Sequence, residues 1–490
     1  MLFFVVILVN LFKIFSNFMN FLLILLYEFF KIYEFSSRSG SIICMSVEMP
    51  SFKELLQFVE KVEYGDWYSK DLAVCGVTDV SSVTDVSSTK VSNFANDGTK
   101  FSRDDSDYAK VGGALHLSSV LPAVCDAIGT PVSTAIHHDP SFLRKSLNIP
   151  SASRAIVVLV DGLGYWNIVN RIGHAPYLRS LMKEPLNQRF IYSCLPSTTV
   201  AAMGTFGTGT CPGLTCMTGY TQKNNETGAL AQLIQFRDAP LPENLQLQPT
   251  IFELLVKQGV RADSVSLPKF ENSPLTRAAL RGARYISAKT PRARICVAAN
   301  TTLEPGLTYM YLRDTDKVGH NYGCDSDEWI ASFEQVDAQL RLLRKKCAPG
   351  TLIIITADHG MIQSDPSMCI DIAKNPKLAE GVSMVAGEPR SVMIYAKDGV
   401  SVNDLAKRWA DELEDKALVR TKRQAISDGV FGEVCDRANE ILGDVIVQAA
   451  NRVTIVDSRT QTQKAMSLPS VHGSMTRMEL EIPCLIDLVD

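Results

Sequence analysis

Residues 155–162 read Ala-Ile-Val-Val-Leu-Val-Asp-Gly, and this stretch decides the fold class of the chain. Six consecutive apolar residues, most of them β-branched, are followed by a turn signal at Asp161-Gly162. An apolar run without polar alternation is typical of a strand buried on both faces, as in a parallel sheet that helices cover. The stretch therefore predicts a central strand of an α/β fold.

Two further runs have the same form. Residues 307–312 lead into Arg313-Asp314-Thr315-Asp316, and residues 352–356 lead into Ala357-Asp358-His359-Gly360. Between them, residues 325–346 carry one apolar helical stripe, formed by Ile330, Phe333, Val336, Leu340 and Leu343. Alternating strand and helix signals predict an α/β fold with a mostly parallel central sheet and helices on both faces.

Polar side chains that suit a metal site follow these runs. Asp161, Asp316 and Asp358 each come after a predicted strand, where open α/β sheets place their sites. Asp316 and His320 are four residues apart, which places both side chains on one side of a helical turn. Each motif taken singly also fits a turn, a helix cap or a surface ion pair. Together, three aspartates and three histidines (Asp161, Asp316, His320, Asp358, His359 and His472) form an N/O donor set suited to zinc.

Thr199 precedes a run of small residues at 201–209, and its hydroxyl is predicted to lie at a helix N-terminus. That position suits phosphate binding, although an ordinary N-cap hydroxyl is the alternative interpretation. A threonine hydroxyl needs a metal ion or a base to act as a nucleophile. By contrast, His137-His138-Asp139 is predicted to be a surface loop.

Taken in order, these motifs resemble a known family. Asp161-Gly, Pro-Ser-Thr-Thr199, Asp316-x-x-Gly-His320-x-Tyr-Gly, Asp358-His359-Gly-Met and His472-Gly are similar to the motifs of the alkaline phosphatase superfamily, and most similar to its nucleotide pyrophosphatase/phosphodiesterase (type I phosphodiesterase) branch. The resemblance covers roughly residues 154–364 and 468–475. It implies an alkaline phosphatase-like fold, and it says little about residues 1–113 or about the inserted cap subdomain, which is predicted from the less regular segment that begins at residue 365.

The resemblance also implies the roles of the site residues. One metal ion would be held by Asp316, His320 and His472, and a second by Asp161, Asp358 and His359, with Thr199 bridging toward the second. Two Zn²⁺ ions are expected, with Mn²⁺ as the alternative. The implied reaction is attack by Thr199 on the phosphorus of a small phosphodiester or phosphoanhydride of the nucleotide type, followed by hydrolysis of the phospho-threonine.

Other functions are weighed against this one. A phosphonate hydrolase of the same superfamily and a non-catalytic, membrane-tethered metal-binding module are alternatives, while Thr199 argues against a phosphosugar mutase, whose nucleophile is normally serine. Cys194-Leu-Pro-Ser-Thr198 lacks the arginine of a sulfatase motif.

The phosphodiesterase branch usually has an asparagine about twenty residues after the nucleophile that contacts a phosphate oxygen. Gly219-Tyr220 stand there instead, and Asn224 and Asn225 follow a little late.

Composition limits the partners and the compartment. The net charge of −4 supplies no excess basic charge, so a nucleic-acid partner is not expected. Twelve cysteines without paired CxxC motifs favour a reducing compartment and hence the cytoplasm.

Residues 1–34 are apolar but interrupted by polar residues. They are read as an extension outside the functional protein, with a membrane anchor or an atypical signal peptide as alternatives.

These observations predict the organisation of the chain. A hydrophobic N-terminal extension spans 1–44, and a region with a polar insertion, containing Val-Thr-Asp-Val-Ser-Ser twice at 77–88, spans 45–152. The catalytic core is predicted at 153–364 and 468–490. The cap is predicted at 365–467, with a helix over 402–418 and a strand over 441–447.

Overall fold

The apolar run at 155–160 lies within the middle strand of a seven-stranded sheet in the computed structural model, which describes residues 112–490. This strand pairs in parallel with a neighbour on each side, so no edge of its backbone is left to solvent. Its residues from Ala155 onward are buried, which explains why the sequence shows no alternation of apolar and polar residues there.

The strands, in chain order, are β1 Arg154–Val160, β2 Phe190–Tyr192, β3 Thr221–Lys223, β4 Leu230–Gln232, β5 Ala262–Ser266, β6 Arg284–Ser287, β7 Gly306–Leu312, β8 Thr351–Thr356, β9 Ile362–Gln363, β10 Cys369–Asp371, β11 Val382–Glu388, β12 Ser391–Ala396, β13 Ala417–Thr421, β14 Val445–Ala449, β15 Thr454–Val456, β16 Ser470–Val471 and β17 Glu481–Leu488.

The α-helices are α1 Leu117–Ala127, α2 Pro140–Ser146, α3 Tyr165–Asn170, α4 Pro176–Leu181, α5 Thr199–Thr208, α6 Pro212–Thr215, α7 Pro242–Leu245, α8 Ile251–Lys257, α9 Pro274–Ala279, α10 Pro291–Thr301, α11 Asp314–Tyr322, α12 Asp327–Lys346, α13 Pro376–Ala379, α14 Val402–Leu413, α15 Lys422–Ser427, α16 Asp436–Ile441, α17 Gln463–Met466 and α18 Arg477–Leu480.

The central sheet has the order β2-β17-β8-β1-β7-β5-β6. The five strands from β8 to β6 are parallel, whereas β17 near one edge runs antiparallel to both of its neighbours, β8 and β2. Helices flank the sheet in two sets: α5 packs on α1 and α9, and α12 packs on α4, α10 and α11. The prediction of an α/β fold with a mostly parallel sheet is confirmed.

A second sheet, with the antiparallel order β11-β12-β14-β13, lies within the segment predicted as the cap. It has its own apolar core, in which α14 buries Leu405 and Trp409 against the strands. All described residues nevertheless belong to one compact unit, so the boundaries 365 and 467 stay a prediction.

Three local predictions need correction. The helix predicted over 402–418 ends at Leu413, because Glu414 adopts a positive φ of 50° and 417–421 pair in the second sheet as β13. The strand predicted over 441–447 begins only at Val445, since Ile441 ends α16. The predicted helix at 325–346 is present as α12, but Trp329 is fully buried where Ile330 is only half-buried.

A buried ion pair ties the second sheet to the segment after His472. Between β11 and β12, the Arg390 guanidinium makes two hydrogen bonds to Glu479, at 3.0 and 2.9 Å, and neither side chain is exposed. The Glu479 carboxylate also accepts hydrogen bonds from the Ser474 N–H and the Thr476 hydroxyl. This pair therefore holds the turn 474–479 in place from both sides.

In the region 112–490, no helix is both long enough and apolar enough to cross a bilayer. The predictions for residues 1–34 and for the repeat at 77–88 fall outside the described residues.

Replacing Arg390 with methionine is expected to lower the free energy of unfolding by about 3–5 kcal/mol, because the Glu479 carboxylate would stay buried without its partner. Lys374→Met is the matched control, since Lys374 pairs with Asp371 at the surface and its side chain is 80% exposed. The control should change stability by less than about 0.5 kcal/mol. Urea unfolding followed by circular dichroism measures both, and equal losses would refute the role given to Arg390.

Candidate metal centre and active site

Three aspartates converge at the carboxyl edge of the central sheet. Asp161 directly follows β1, Asp316 lies in the first turn of α11 after β7, and Asp358 comes two residues after β8. The register pairs Val160 with Leu312 and Leu159 with Thr356, so the three strands end nearly level. The fold therefore places three carboxylates side by side at one edge, as the sequence predicted.

His359 connects two of these carboxylates to Thr199. Its Nε2 lies 3.1 Å from Thr199 Oγ1, 3.4 Å from Asp358 Oδ2 and 3.6 Å from Asp161 Oδ1. Both Asp358 and His359 are fully buried. The alternative interpretation of this motif as a surface ion pair is therefore wrong.

Asp316 connects the two remaining histidines to the same group. Its Oδ1 lies 3.1 Å from His320 Nε2 and 3.8 Å from His472 Nε2. The His472 ring stacks on His359, with ring centres 3.5 Å apart. The seven predicted residues thus lie in one continuous cluster, the seven-residue cluster: Asp161, Thr199, Asp316, His320, Asp358, His359 and His472.

Each histidine of the cluster is oriented by a backbone carbonyl. Nδ1 lies 2.8 Å from the Ser470 carbonyl in His320, 3.0 Å from the Gly360 carbonyl in His359, and 2.9 Å from the Ser197 carbonyl in His472. A carbonyl can only accept, so Nδ1 carries a proton in all three rings, and Nε2, which faces the cluster, is left to hold either a metal ion or a second proton. Metal-ligating histidines are typically held in this way.

The carboxylates leave oxygens that suit a cation. Within the described residues, Asp161 Oδ1, Asp316 Oδ1 and Asp358 Oδ2 are buried and have no hydrogen-bond partner. Two groups of donor atoms lie close enough to share an ion, Asp316 with His320 and His472, and Asp161 with Asp316 and His359. Buried carboxylates and neutral imidazoles are the donors that Zn²⁺ and Mn²⁺ accept, so the residues present fit a metal centre.

The crowding of these groups changes their acidity. Burial raises the pKa of Asp161 well above its usual range, and the nearby charges of Asp316 and Asp358 raise it further. Burial also works to raise the pKa of Asp316, but the imidazoles of His320 and His472 outweigh it and hold that pKa below its usual range. The Tyr311 hydroxyl, which the sequence did not single out, donates a hydrogen bond to Asp161. A site this crowded with like charges favours a compensating cation.

Thr199 is the first residue of α5, and Thr198 occupies the N-cap position. The Thr199 hydroxyl is half-buried and directed to His359, so it is not the N-cap group that the alternative interpretation assumed. The preceding turn is tied to the His472 segment, because the Ser197 N–H donates to the Gly473 carbonyl and the Ser197 hydroxyl to the Ser474 carbonyl.

A buried glutamate beside this segment was missed by the sequence analysis. Glu388 lies against Gly473, where an added Cβ would come within 2.5 Å of its Cγ, and its Oε2 accepts a hydrogen bond from the Tyr220 N–H. Burial raises the pKa of Glu388 to about 8, although the Tyr220 hydrogen bond opposes the shift. A lone Glu in the predicted cap gave no local signal of this contact.

The two late asparagines do not supply a free amide near the expected position. The Asn224 amide donates to the Asp238 carbonyl and accepts from the Glu226 N–H. Asn225 is exposed and lies 3.4 Å from Glu440. Both amides are therefore engaged, that of Asn224 within its own loop and that of Asn225 with α16.

The predicted surface loop at 137–139 needs one correction. His138 is exposed, but His137 is fully buried and its Nε2 lies 2.8 Å from the Ser118 hydroxyl. That hydroxyl lies 2.9 Å from Nδ1 of His116, which is also buried. This packing joins residues about twenty positions apart, so local sequence could not reveal it.

A family model described as type I phosphodiesterase/nucleotide pyrophosphatase matches residues 155–475, a range that contains the whole seven-residue cluster. A sequence comparison with curated proteins finds no match.

Solved structures with a similar fold include phosphonoacetate hydrolase from Sinorhizobium meliloti 1021 with phosphonoformate, at a TM-score of 0.55 and 18% identity over 69% of this chain and 91% of that one. Murine ectonucleotide pyrophosphatase/phosphodiesterase 5 matches with a TM-score of 0.54 and 15% identity, over 68% of this chain and 87% of that one. The human protein of the same name gives a TM-score of 0.53, with the same identity and coverage. At these identities the likeness establishes the fold.

Glu388→Gln is expected to gain stability relative to the unchanged protein as pH rises. The carboxyl group has an ordinary pKa of 4.5 and a pKa of about 8 when folded, so it stays protonated in the fold while the unfolded chain ionises. The contribution of this carboxyl group to the free energy of unfolding is complete below pH 4.5. It decreases between pH 4.5 and pH 8, by at most about 1.4 kcal/mol per pH unit. Urea unfolding at several pH values measures the difference. The exposed Glu226→Gln is the control, and a pH-independent difference for Glu388→Gln would contradict the shifted pKa.

Proposed function

The chain belongs to the type I phosphodiesterase/nucleotide pyrophosphatase family, and on this premise we propose that it is a two-metal hydrolase of small phosphodiesters or phosphoanhydrides with Thr199 as its nucleophile. The family relation supports hydrolysis of phosphate esters or of phosphonates within the alkaline phosphatase superfamily. The choice of metal ions, the nucleophile and the substrate are proposals that follow from the site.

The observation that carries the proposal is the orientation of the three histidines. Each ring donates from Nδ1 to a backbone carbonyl, so three Nε2 lone pairs face buried carboxylate oxygens that have no hydrogen-bond partner within the described residues. A cluster stabilised only by internal hydrogen bonds would pair a donor with each acceptor. Unprotonated Nε2 atoms that face carboxylate oxygens place hydrogen-bond acceptors against one another, and this arrangement favours cations between them.

The first proposed ligand set coincides with one of the two groups of donor atoms, and the second shares Asp161 and His359 with the other group. Asp316, His320 and His472 would hold one ion. Asp161, Asp358 and His359 would hold the other, and the Asp316 carboxylate lies close to both groups. Bound divalent ions of this kind act as Lewis acids that stabilise negative charge on oxygen atoms.

The position of Thr199 supports the proposal that it attacks phosphorus. Its hydroxyl lies at the start of α5, where the helix presents unpaired N–H groups and the positive end of its dipole to a phosphate. In the first step a bond forms between Thr199 Oγ1 and phosphorus, the bond from phosphorus to the leaving group breaks, and the hydroxyl proton passes to the leaving group. Water then takes the phosphoryl group from Oγ1, which restores the hydroxyl.

The chain's other residues orient this nucleophile. The hydrogen bonds from Ser197 to the Gly473 and Ser474 carbonyls fix the turn before Thr199 against the segment that carries His472. The carbonyl of Ser197 in turn orients the His472 ring. Ser197 therefore helps to position both the proposed nucleophile Thr199 and the proposed ligand His472.

Replacing Thr199 with alanine is expected to reduce kcat/KM for bis-p-nitrophenyl phosphate by about 10³-fold or more, because the group that forms the covalent bond is removed. Thr199→Ser keeps a hydroxyl at the same place and should retain measurable activity. The bound zinc of each variant, measured by plasma mass spectrometry, should stay unchanged.

Survival of full activity in Thr199→Ala with its metal content intact would show that Thr199 is not the nucleophile. The same assay with p-nitrophenyl phosphate, ATP and phosphonoacetate tests the substrate class. Faster turnover of the monoester than of the diester and ATP would contradict the diester and anhydride assignment, and turnover of phosphonoacetate alone would identify a phosphonate hydrolase.

A further inference from the structure

Two cationic side chains lie near one aromatic ring beside the seven-residue cluster, and a third cationic side chain lies near them. Lys269 Nζ lies 4.8 Å from the centre of the Phe270 ring, and the Arg313 guanidinium carbon lies 5.8 Å from the same centre. Lys317 is close enough to Lys269 to act on its pKa. We refer to Lys269, Arg313 and Lys317 as the basic patch.

The basic patch is continuous with the proposed catalytic centre. The Phe270 ring packs edge-on against Tyr311, with centres 5.8 Å apart, and the Tyr311 hydroxyl donates to Asp161. Arg313 immediately precedes α11, the helix that carries Asp316, and Lys317 is the next residue after Asp316. The patch therefore lies along the same end of β7 as two of the proposed ligands.

The cations of the basic patch lack acidic partners. Within residues 112–490, neither Lys269, Arg313 nor Lys317 has a carboxylate oxygen within 4.0 Å, whereas Arg277 and Arg284, which are also exposed, are both paired with acids. Partial burial lowers the pKa of Lys269, and the positive charges of Arg313 and Lys317 lower it further, against the opposing effect of Asp314. Like charges held together without compensation favour an anionic ligand.

We propose that the basic patch binds a second anionic group of the substrate, carried beyond the scissile bond, with the Phe270 ring as the apolar side of this subsite. The inference rests on the proposed function, because it takes the seven-residue cluster to be the place where the phosphoryl group reacts. The shared chemistry of the ligand is a phosphate or carboxylate group, which a guanidinium can bind through two parallel hydrogen bonds. A nucleoside polyphosphate and a phosphonocarboxylate both carry such a group.

The subsite favours substrates that carry a second anionic group. An ester whose leaving group is neutral gains nothing from the basic patch, whereas a substrate with a second anion gains the attraction of all three cations. Removing two of the charges therefore weakens one class of substrate and spares the other.

The double variant Lys269→Gln/Arg313→Gln tests this selectivity in the full chain. Its kcat/KM for ATP is expected to fall by about tenfold or more, since charge-assisted contacts are lost. Thymidine 5′-p-nitrophenyl phosphate has a leaving group that carries no second anion before cleavage. Since it makes no charge-assisted contact with the basic patch, its kcat/KM should change by less than about threefold. Lys257→Gln/Arg423→Gln removes the same charges from exposed positions on α8 and α15 and is the matched control.

Binding separates this inference from the proposed function. Isothermal titration with α,β-methylene-ATP and with phosphonoacetate measures the subsite without turnover. Weaker binding of either probe to the double variant, with unchanged binding to the control, supports the subsite even if the protein hydrolyses none of the esters tested. The probe that is affected identifies phosphate or carboxylate as the preferred anion.

Two results would overturn the inference. One is unchanged affinity of the double variant for both probes. The other is an equal fall of kcat/KM on ATP and on the thymidine ester, which would mean that Lys269 and Arg313 support the fold of the site rather than a substrate anion.

Discussion

Two buried carboxyl groups and a half-buried one face one another at the carboxyl edge of the central sheet, and the structure of the site depends on how their repulsion is relieved. Burying a charge without a partner is costly, and Asp161, Asp316 and Asp358 are close enough to raise that cost for one another. The fold does not separate them, and within the described residues it leaves one oxygen of each without a hydrogen-bond partner. It surrounds them with imidazoles whose lone pairs also face inward. Divalent cations resolve both features at once.

Contacts elsewhere in the structure hold the aspartates and histidines of the site in position. The register of β1, β7 and β8 sets the spacing of the aspartates. Gly162 has a positive φ of 70°, and a Cβ there would lie 3.0 Å from the backbone of Asp316, so only glycine lets the two strand ends approach. On the opposite side, the Arg390–Glu479 pair fixes the turn that follows His472. The second sheet therefore contributes to the geometry of the site as well as to its surroundings.

The sequence predicted the sheet and the cluster because both are encoded locally. The apolar runs that form β1, β7 and β8 each end at an aspartate, and parallel strands bring such residues to one edge whatever the loops between them do. Contacts between distant segments were not predictable in this way. Glu388 meets Gly473 from another sheet, and Phe270 meets Tyr311 across 41 residues, so neither left a periodic or spacing signal. The helix predicted to 418 failed for the same reason, since the pairing of 417–421 with β14 overrides local helix propensity.

The most direct test of the central claim is an anomalous difference map, recorded at the zinc absorption edge from crystals of the full chain grown with zinc. The account predicts two peaks, one among Asp316, His320 and His472, and one among Asp161, Asp358 and His359. It is contradicted if no peak lies at the carboxyl edge of the sheet and the six side chains are found hydrogen-bonded to one another instead.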